Sequence, residues 1–135
     1  MIVLDSSVLV AIIKGEEESK QILGVLTDEE CVIGAPTLVE ARAWCARNLT
    51  GGSSQWLEEF LNTGGVSVIP FGRDMADVAS QAFASFGRGS GHAARLNFGD
   101  CIAYAVSAVL RAPLLFKGGD FGRTDVMAHP AAIRT

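Results

Sequence analysis

Four carboxylates stand beside short apolar runs: Asp5 closes MIVLD, Glu40 closes PTLVE, Asp100 lies in NFGDC and Asp120 in FKGGD. Three of them fall at or just past the end of a strand-like or helical apolar run. Parallel α/β proteins gather ligands outside the carboxyl ends of their strands. Carboxylates brought together there repel one another unless a cation lies between them. A hard divalent ion with oxygen ligands, Mg²⁺ or Mn²⁺, suits such a set. The pattern predicts an acidic metal site in a small α/β domain.

The rest of the chain supplies the elements for that fold. Residues 2–4 read as a short buried strand, 31–33, 66–69 and 114–116 as further short strands, and 132–133 as a small edge strand. Helical spacing predicts helices over 7–13, 16–26, 36–48 with Pro36 in the first turn, and 74–86. Ser53 or Ser54 caps a helix carrying Trp56, Leu57, Phe60 and Leu61, and Asn97 caps one running to about Leu110. Residues 87–96, GRGSGHAARL, read as the longest flexible, basic stretch. Strands alternating with helices imply a parallel sheet covered on both faces. The expected architecture is a three-layer α/β/α domain with a short central sheet of four to five parallel strands.

Composition limits the class. The 135 residues are 49% hydrophobic and 19% charged, enough for one domain, residues 1–135, with a real core. Residues 8–13 form one of the longest apolar runs, too short to span a bilayer, and no signal-peptide pattern opens the chain. No membrane partner is expected. Cys31, Cys45 and Cys101 are odd in number and lack CxxC spacing, so each is expected as a small buried side chain in a reducing, cytoplasmic compartment. The net charge of −4 equals the four named acids, which leaves the remaining surface neutral. A phosphate-bearing substrate is therefore compatible with an acidic chain.

Each acid has a structural reading beside the metal-ligand one. Asp5 suits the N-cap of the first helix, with Ser7 placed to steady its carboxylate. Glu40 is a first-turn acid among Leu38, Val39, Ala41 and Trp44, where burial would demand a compensating partner. Asp100 falls at N3 behind Asn97, at the start of an apolar and therefore central helix. Asp120 follows two glycines that allow close backbone approach. Trp44, Trp56 and Tyr104 read first as core.

The stretches IVLDSSVLVAII, PTLVEA, LNFGDCIAYAVS and PLLFKGGDFGRTDV resemble, in order and spacing, a PIN domain of the VapC-type toxins of toxin–antitoxin pairs. The resemblance implies an Mg²⁺- or Mn²⁺-dependent endoribonuclease acting on RNA, a homodimer, and inhibition by a small cognate antitoxin. Asp5, Glu40 and Asp100 match the family's acids. The fourth is less regular: many PIN domains have an acid where this chain has Gly118. Asp120 is the expected fourth ligand, with Asp125 as a substitute nearby. In that chemistry metal ions held by the carboxylates lower the pKa of bound water and neutralise the phosphodiester. Arg88, His92, Arg95, Lys117 and Arg123 flank the later motifs and are candidates to hold RNA phosphates. His129 lacks any metal-binding spacing. Two other classes share parts of the pattern: a metal-dependent phosphatase of another α/β fold, and a non-enzymatic Mg²⁺-binding receiver-like domain. The phosphatases place D-x-D after the first strand, where this chain has Asp5-Ser6-Ser7, and the receiver lacks its adjacent acids here.

Overall fold

The computed structural model describes residues 1–135. β1 (Ile2–Leu4) is wholly enclosed. A strand covered on both faces carries apolar side chains at every position, which accounts for the unbroken run IVL. It leads into α1 (Ser6–Lys14), α2 (Ser19–Asp28) and β2 (Cys31–Gly34), then α3 (Ala35–Asn48), α4 (Gln55–Asn62) and β3 (Ser67–Ile69). α5 (Arg73–Phe86), α6 (Phe98–Leu110) and β4 (Leu114–Leu115) follow, and Phe121–Arg123 form a single 3₁₀ turn. No helix is long and apolar enough to cross a membrane.

The four strands form one parallel sheet in the order β3-β2-β1-β4. Ile2 lies opposite Cys31, and Val3 opposite both Val32 and Leu114. Alternate side chains leave opposite faces of the sheet. Ile2, Leu4, Cys31, Ile33 and Leu115 pack with the helices α1 to α4, whereas Val3, Val32, Leu114 and Phe116 pack with α5 and α6. This is the expected three-layer α/β/α arrangement. The chain runs from β1 outward to β2 and β3, and later returns to place β4 on the other side of β1. The carboxyl ends of β1 and β4 therefore flank a topological switch point, where open α/β sheets open a crevice.

Several local expectations need correction. The helix expected over 16–26 begins at Ser19, because Glu16 and Glu18 belong to a turn tied to Lys117. Residues 87–96 are not a flexible loop. Leu96 N–H donates to the Phe86 carbonyl at 2.9 Å and Arg88 N–H to the Leu96 carbonyl at 3.0 Å, while Ala94 and Leu96 are fully buried. Two apolar anchors thus pin a segment whose glycines Gly89 and Gly91 supply the positive φ its turns require. The expected edge strand at 132–133 is a single bridge between Lys117 and Ile133. The 3₁₀ turn was not foreseen; it seats Phe121 against Phe116 at 5.0 Å between ring centroids. The three cysteines are free and buried, as expected.

Candidate metal and active site

Asp5 is the residue at which β1 becomes α1. Its φ of −86° and ψ of 155° end the strand, and its carboxylate caps the helix by accepting the Ser7 N–H at 3.2 Å. The Ser7 hydroxyl donates to the same oxygen at 2.5 Å and accepts the Lys117 N–H at 3.0 Å. Capping of this kind explains the helix start, but not why the acid is only 4% exposed. Burial, then the negative charges of Asp100 and Glu40, push the Asp5 carboxyl up to about 7, against the lowering pull of the Ser7 hydrogen bonds.

Asp100 opens α6 in a full capping box. Asn97 N–H donates to Asp100 Oδ2 at 3.0 Å and Asp100 N–H to Asn97 Oδ1 at 2.8 Å. α6 runs through the core with Cys101, Ile102, Ala103, Ala105 and Val106 buried, as its apolar sequence predicts. Burial first, then the charges of Asp120 and Glu40, raise the Asp100 carboxyl to about 6, partly offset by Asn97 and Arg88. Asp5 ends β1 and Asp100 opens α6, and the charge of Asp100 is felt at Asp5.

Glu40 is exposed on α3, so the expectation that it would need rescue from an apolar burial site does not apply. It is nevertheless fixed. Ser6 Oγ donates to Glu40 Oε1 at 2.7 Å, and the carboxylate lies against Gly99, at a place where any Cβ would collide with it. Asp120 is exposed ahead of the 3₁₀ turn and contributes to the charge around Asp100. Asp125 is engaged elsewhere, accepting the Tyr104 hydroxyl at 2.6 Å. Ser6 and Gly99 were missed in the sequence. The tandem serine after Asp5, and a glycine inside a helix beside an acid, were the signals for them.

No salt bridge reaches Asp5, Glu40, Asp100 or Asp120. Nor do three of these side chains close on one point; the acids form an open set. Their donors are all oxygen. His92 Nδ1 accepts the Ala94 N–H at 3.0 Å, His129 Nε2 lies 2.7 Å from Glu29 Oε2, and burial raises the Cys101 thiol to about 11. Uncompensated carboxylates without nitrogen or sulfur ligands suit a hard divalent cation that keeps several waters.

The basic candidates differ in their commitments. The Lys117 ammonium is bound between Glu16 and Glu18, the latter at 3.1 Å. Arg123 Nη1 donates to the Ala93 carbonyl at 3.2 Å. Arg88 and Arg95 are exposed, and Arg88 lies near enough to Asp100 to favour its charged form.

The site is an acidic crevice at the switch point of a four-stranded parallel α/β sheet. The PIN domain family model matches residues 2–127, and this chain belongs to that family. It is 38% identical to VapC ribonuclease Mb2780c of Mycobacterium bovis over 92% of this chain and 95% of that one. Ribonuclease VapC28 of Mycobacterium tuberculosis is 35% identical over 92% and 94%. Among solved structures, the Sarcin-Ricin loop cleaving toxin VapC20 of Mycobacterium tuberculosis superposes with a TM-score of 0.72, at 14% identity, over 93% of this chain and 96% of that one. VapBC2 from Rickettsia felis, bound to a DNA fragment from its promoter, gives 0.71 at 18% identity over 100% and 98%. These similarities fix the fold and set aside the phosphatase and receiver alternatives.

Proposed function

We propose that this chain is the toxin of a toxin–antitoxin pair: a cytoplasmic Mg²⁺- or Mn²⁺-dependent endoribonuclease, homodimeric and held inactive by a small VapB-like antitoxin. One observation carries the enzymatic reading. Asp5, buried, and Asp100, half-buried, sit at the carboxyl end of the sheet with Glu40 and Asp120 beside them, and both are raised toward neutrality with no side-chain cation paired to them. Nothing in capping a helix requires that burial. The ribonuclease and toxin–antitoxin relatives support the substrate and the partner.

Asp5, Glu40, Asp100 and Asp120 would hold the cation. When bound, such an ion supplies a lowered pKa for water and neutralises charge that builds on the phosphodiester. The chain's own groups do the rest. Ser7 and Ser6 hold the Asp5 and Glu40 carboxylates in fixed rotamers, so that little reorganisation accompanies the reaction. Arg88, free of ion pairs at the rim of the crevice, is the best placed cation for an RNA phosphate, with His92, Arg95 and Arg123 along the same rim segment. The helices α2 and α3, of which α2 is the more clearly amphipathic, would receive the antitoxin. Phe83 and Phe98 are exposed around an apolar groove of about 420 Å³, the surface a homodimer would cover.

Product chemistry tests the reading. A single-stranded RNA incubated with the purified chain and Mg²⁺ should yield 5′-phosphate and 3′-hydroxyl ends, and EDTA should stop the reaction. Cleavage that persists in EDTA and leaves 2′,3′-cyclic phosphates would overturn it.

A further inference from the structure

The residue three positions before Asp120 makes two contacts that do not belong to ordinary surface chemistry. The Lys117 side chain is only 20% exposed, and its ammonium is held by Glu16 and Glu18 in the turn between α1 and α2, about a hundred residues away in sequence. Its backbone N–H donates to Ser7 Oγ, and Ser7 Oγ donates to Asp5 Oδ2. A serine hydroxyl has one proton and two lone pairs. With a lone pair occupied by the Lys117 N–H, the proton is directed at Asp5.

The segment needs bracing. β4 ends at Leu115, and Gly118, with φ of 138°, and Gly119 follow Lys117 at once. Two successive glycines leave the chain more conformational freedom than any other pair. Just before them, Lys117 is held twice, by the bridge to Ile133 and by the clamp on its ammonium, and Gly118 N–H donates to the Ile133 carbonyl at 2.8 Å.

We propose that Lys117 is a positioning residue for the acidic site, with Glu16 and Glu18 as its anchors: the clamp holds the Lys117 backbone, the backbone aims Ser7, and Ser7 fixes Asp5. The assignment rests on the metal-dependent reading given above. It replaces a direct contact between the Lys117 ammonium and RNA phosphate. Outer partners that orient metal ligands typically change metal affinity or activity by about 10- to 100-fold when removed.

Lys117→Met keeps the backbone N–H and the length of the side chain and removes the clamp. Single-stranded RNA cleavage should then require about 10-fold more Mg²⁺ for half-saturation, with the KM for RNA unchanged at saturating Mg²⁺. Without RNA, the rise in melting temperature on adding Mg²⁺ should shrink in Lys117→Met and in Ser7→Ala. The double variant should be no worse than Ser7→Ala alone, as expected for residues acting in one chain of contacts. Lys117→Arg should restore both readouts. The paired variant Glu16→Gln with Glu18→Gln should reproduce the Lys117→Met defect and covers the case in which that protein fails to fold. A raised RNA KM with unchanged Mg²⁺ dependence would overturn the proposal in favour of a phosphate contact. Unchanged Mg²⁺ dependence in both clamp variants would overturn it outright. Asp5→Asn, run alongside, separates the two layers: if it still cleaves, the metal-dependent reading itself has failed.

Discussion

The Glu40 carboxylate rests on the first turn of α6 at Gly99, in the space that a side chain at position 99 would fill. Ser6 Oγ holds the same carboxylate from the other side at 2.7 Å. Glycine is a poor helix former, so its presence one residue before Asp100 costs helix stability that a bulkier residue would return. What the glycine permits is the approach of one site acid to the helix that carries another.

Gly99→Ala should therefore separate stability from activity. Gly99 has helical backbone geometry, so alanine should stabilise the protein by roughly 0.5–1 kcal/mol. The methyl displaces only the flexible end of Glu40, and cleavage should fall by on the order of 10²-fold, the scale of an ångström-sized misplacement. Melting curves and initial rates on one RNA check both halves. Full activity in the variant would mean that the position of Glu40 is immaterial.

Asp100 serves the helix and the crevice at once, and two substitutions tell these roles apart. Asp100→Asn keeps an oxygen for the Asn97 N–H and removes a charge that its neighbours oppose. In EDTA it should be at least as stable as wild type. Asp100→Ala also loses the reciprocal cap and should fall below Asp100→Asn by about 1 kcal/mol. Mg²⁺ should raise the melting temperature of wild type far more than that of either variant, because the ion binds the folded site. Equal Mg²⁺ shifts in all three proteins would reduce Asp100 to a cap.

The caps at Asp5 and Asp100 also mark what the sequence could convey. The strands and the helix starts at Asp5, Ser54 and Asn97 were legible, because capping and apolar periodicity are local signals. For each acid the structural and the chemical readings were posed as rivals; at Asp5 and Asp100 the structure shows the cap, and the cap leaves the chemical reading open to the other acids nearby. The exposure of Glu40 was not legible, since its apolar sequence neighbours Leu38 and Ala41 point into the core on the other side of the helix. The order in residues 87–96 was hidden for a related reason: two small or apolar anchors, Ala94 and Leu96, outweigh three glycines only once the core they enter exists. The Lys117 clamp joins positions too far apart in the chain for any local pattern to reveal.

The pH dependence follows with a definite sign. In the unfolded chain both aspartates titrate near the ordinary value of about 3.9. Folded, Asp5 does so at about 7 and Asp100 at about 6. Between these limits the folded state holds protons that the unfolded state has released. Their contribution to stability is thus present in acid and lost as pH rises from about 4 to about 7. The metal-free protein should show this loss in melting temperature against pH, and Asp5→Asn should flatten the upper part of it. At limiting Mg²⁺ the cleavage rate should rise over pH 6–7 as the acids ionise, and saturating Mg²⁺ should move that rise to lower pH. A wild-type profile in EDTA with the same slope as that of Asp5→Asn would contradict the assignment of the raised carboxyl.

Cleavage of a single-stranded RNA by Asp5→Asn, purified free of wild type, tests the central claim most directly. Asparagine keeps the shape of the side chain and an oxygen for the Ser7 N–H, but not the charge that holds a divalent ion. Wild type stripped with EDTA should regain cleavage when Mg²⁺ is returned, while folded Asp5→Asn should stay inactive at every Mg²⁺ concentration. Cleavage by the variant at a rate near that of wild type would contradict the account.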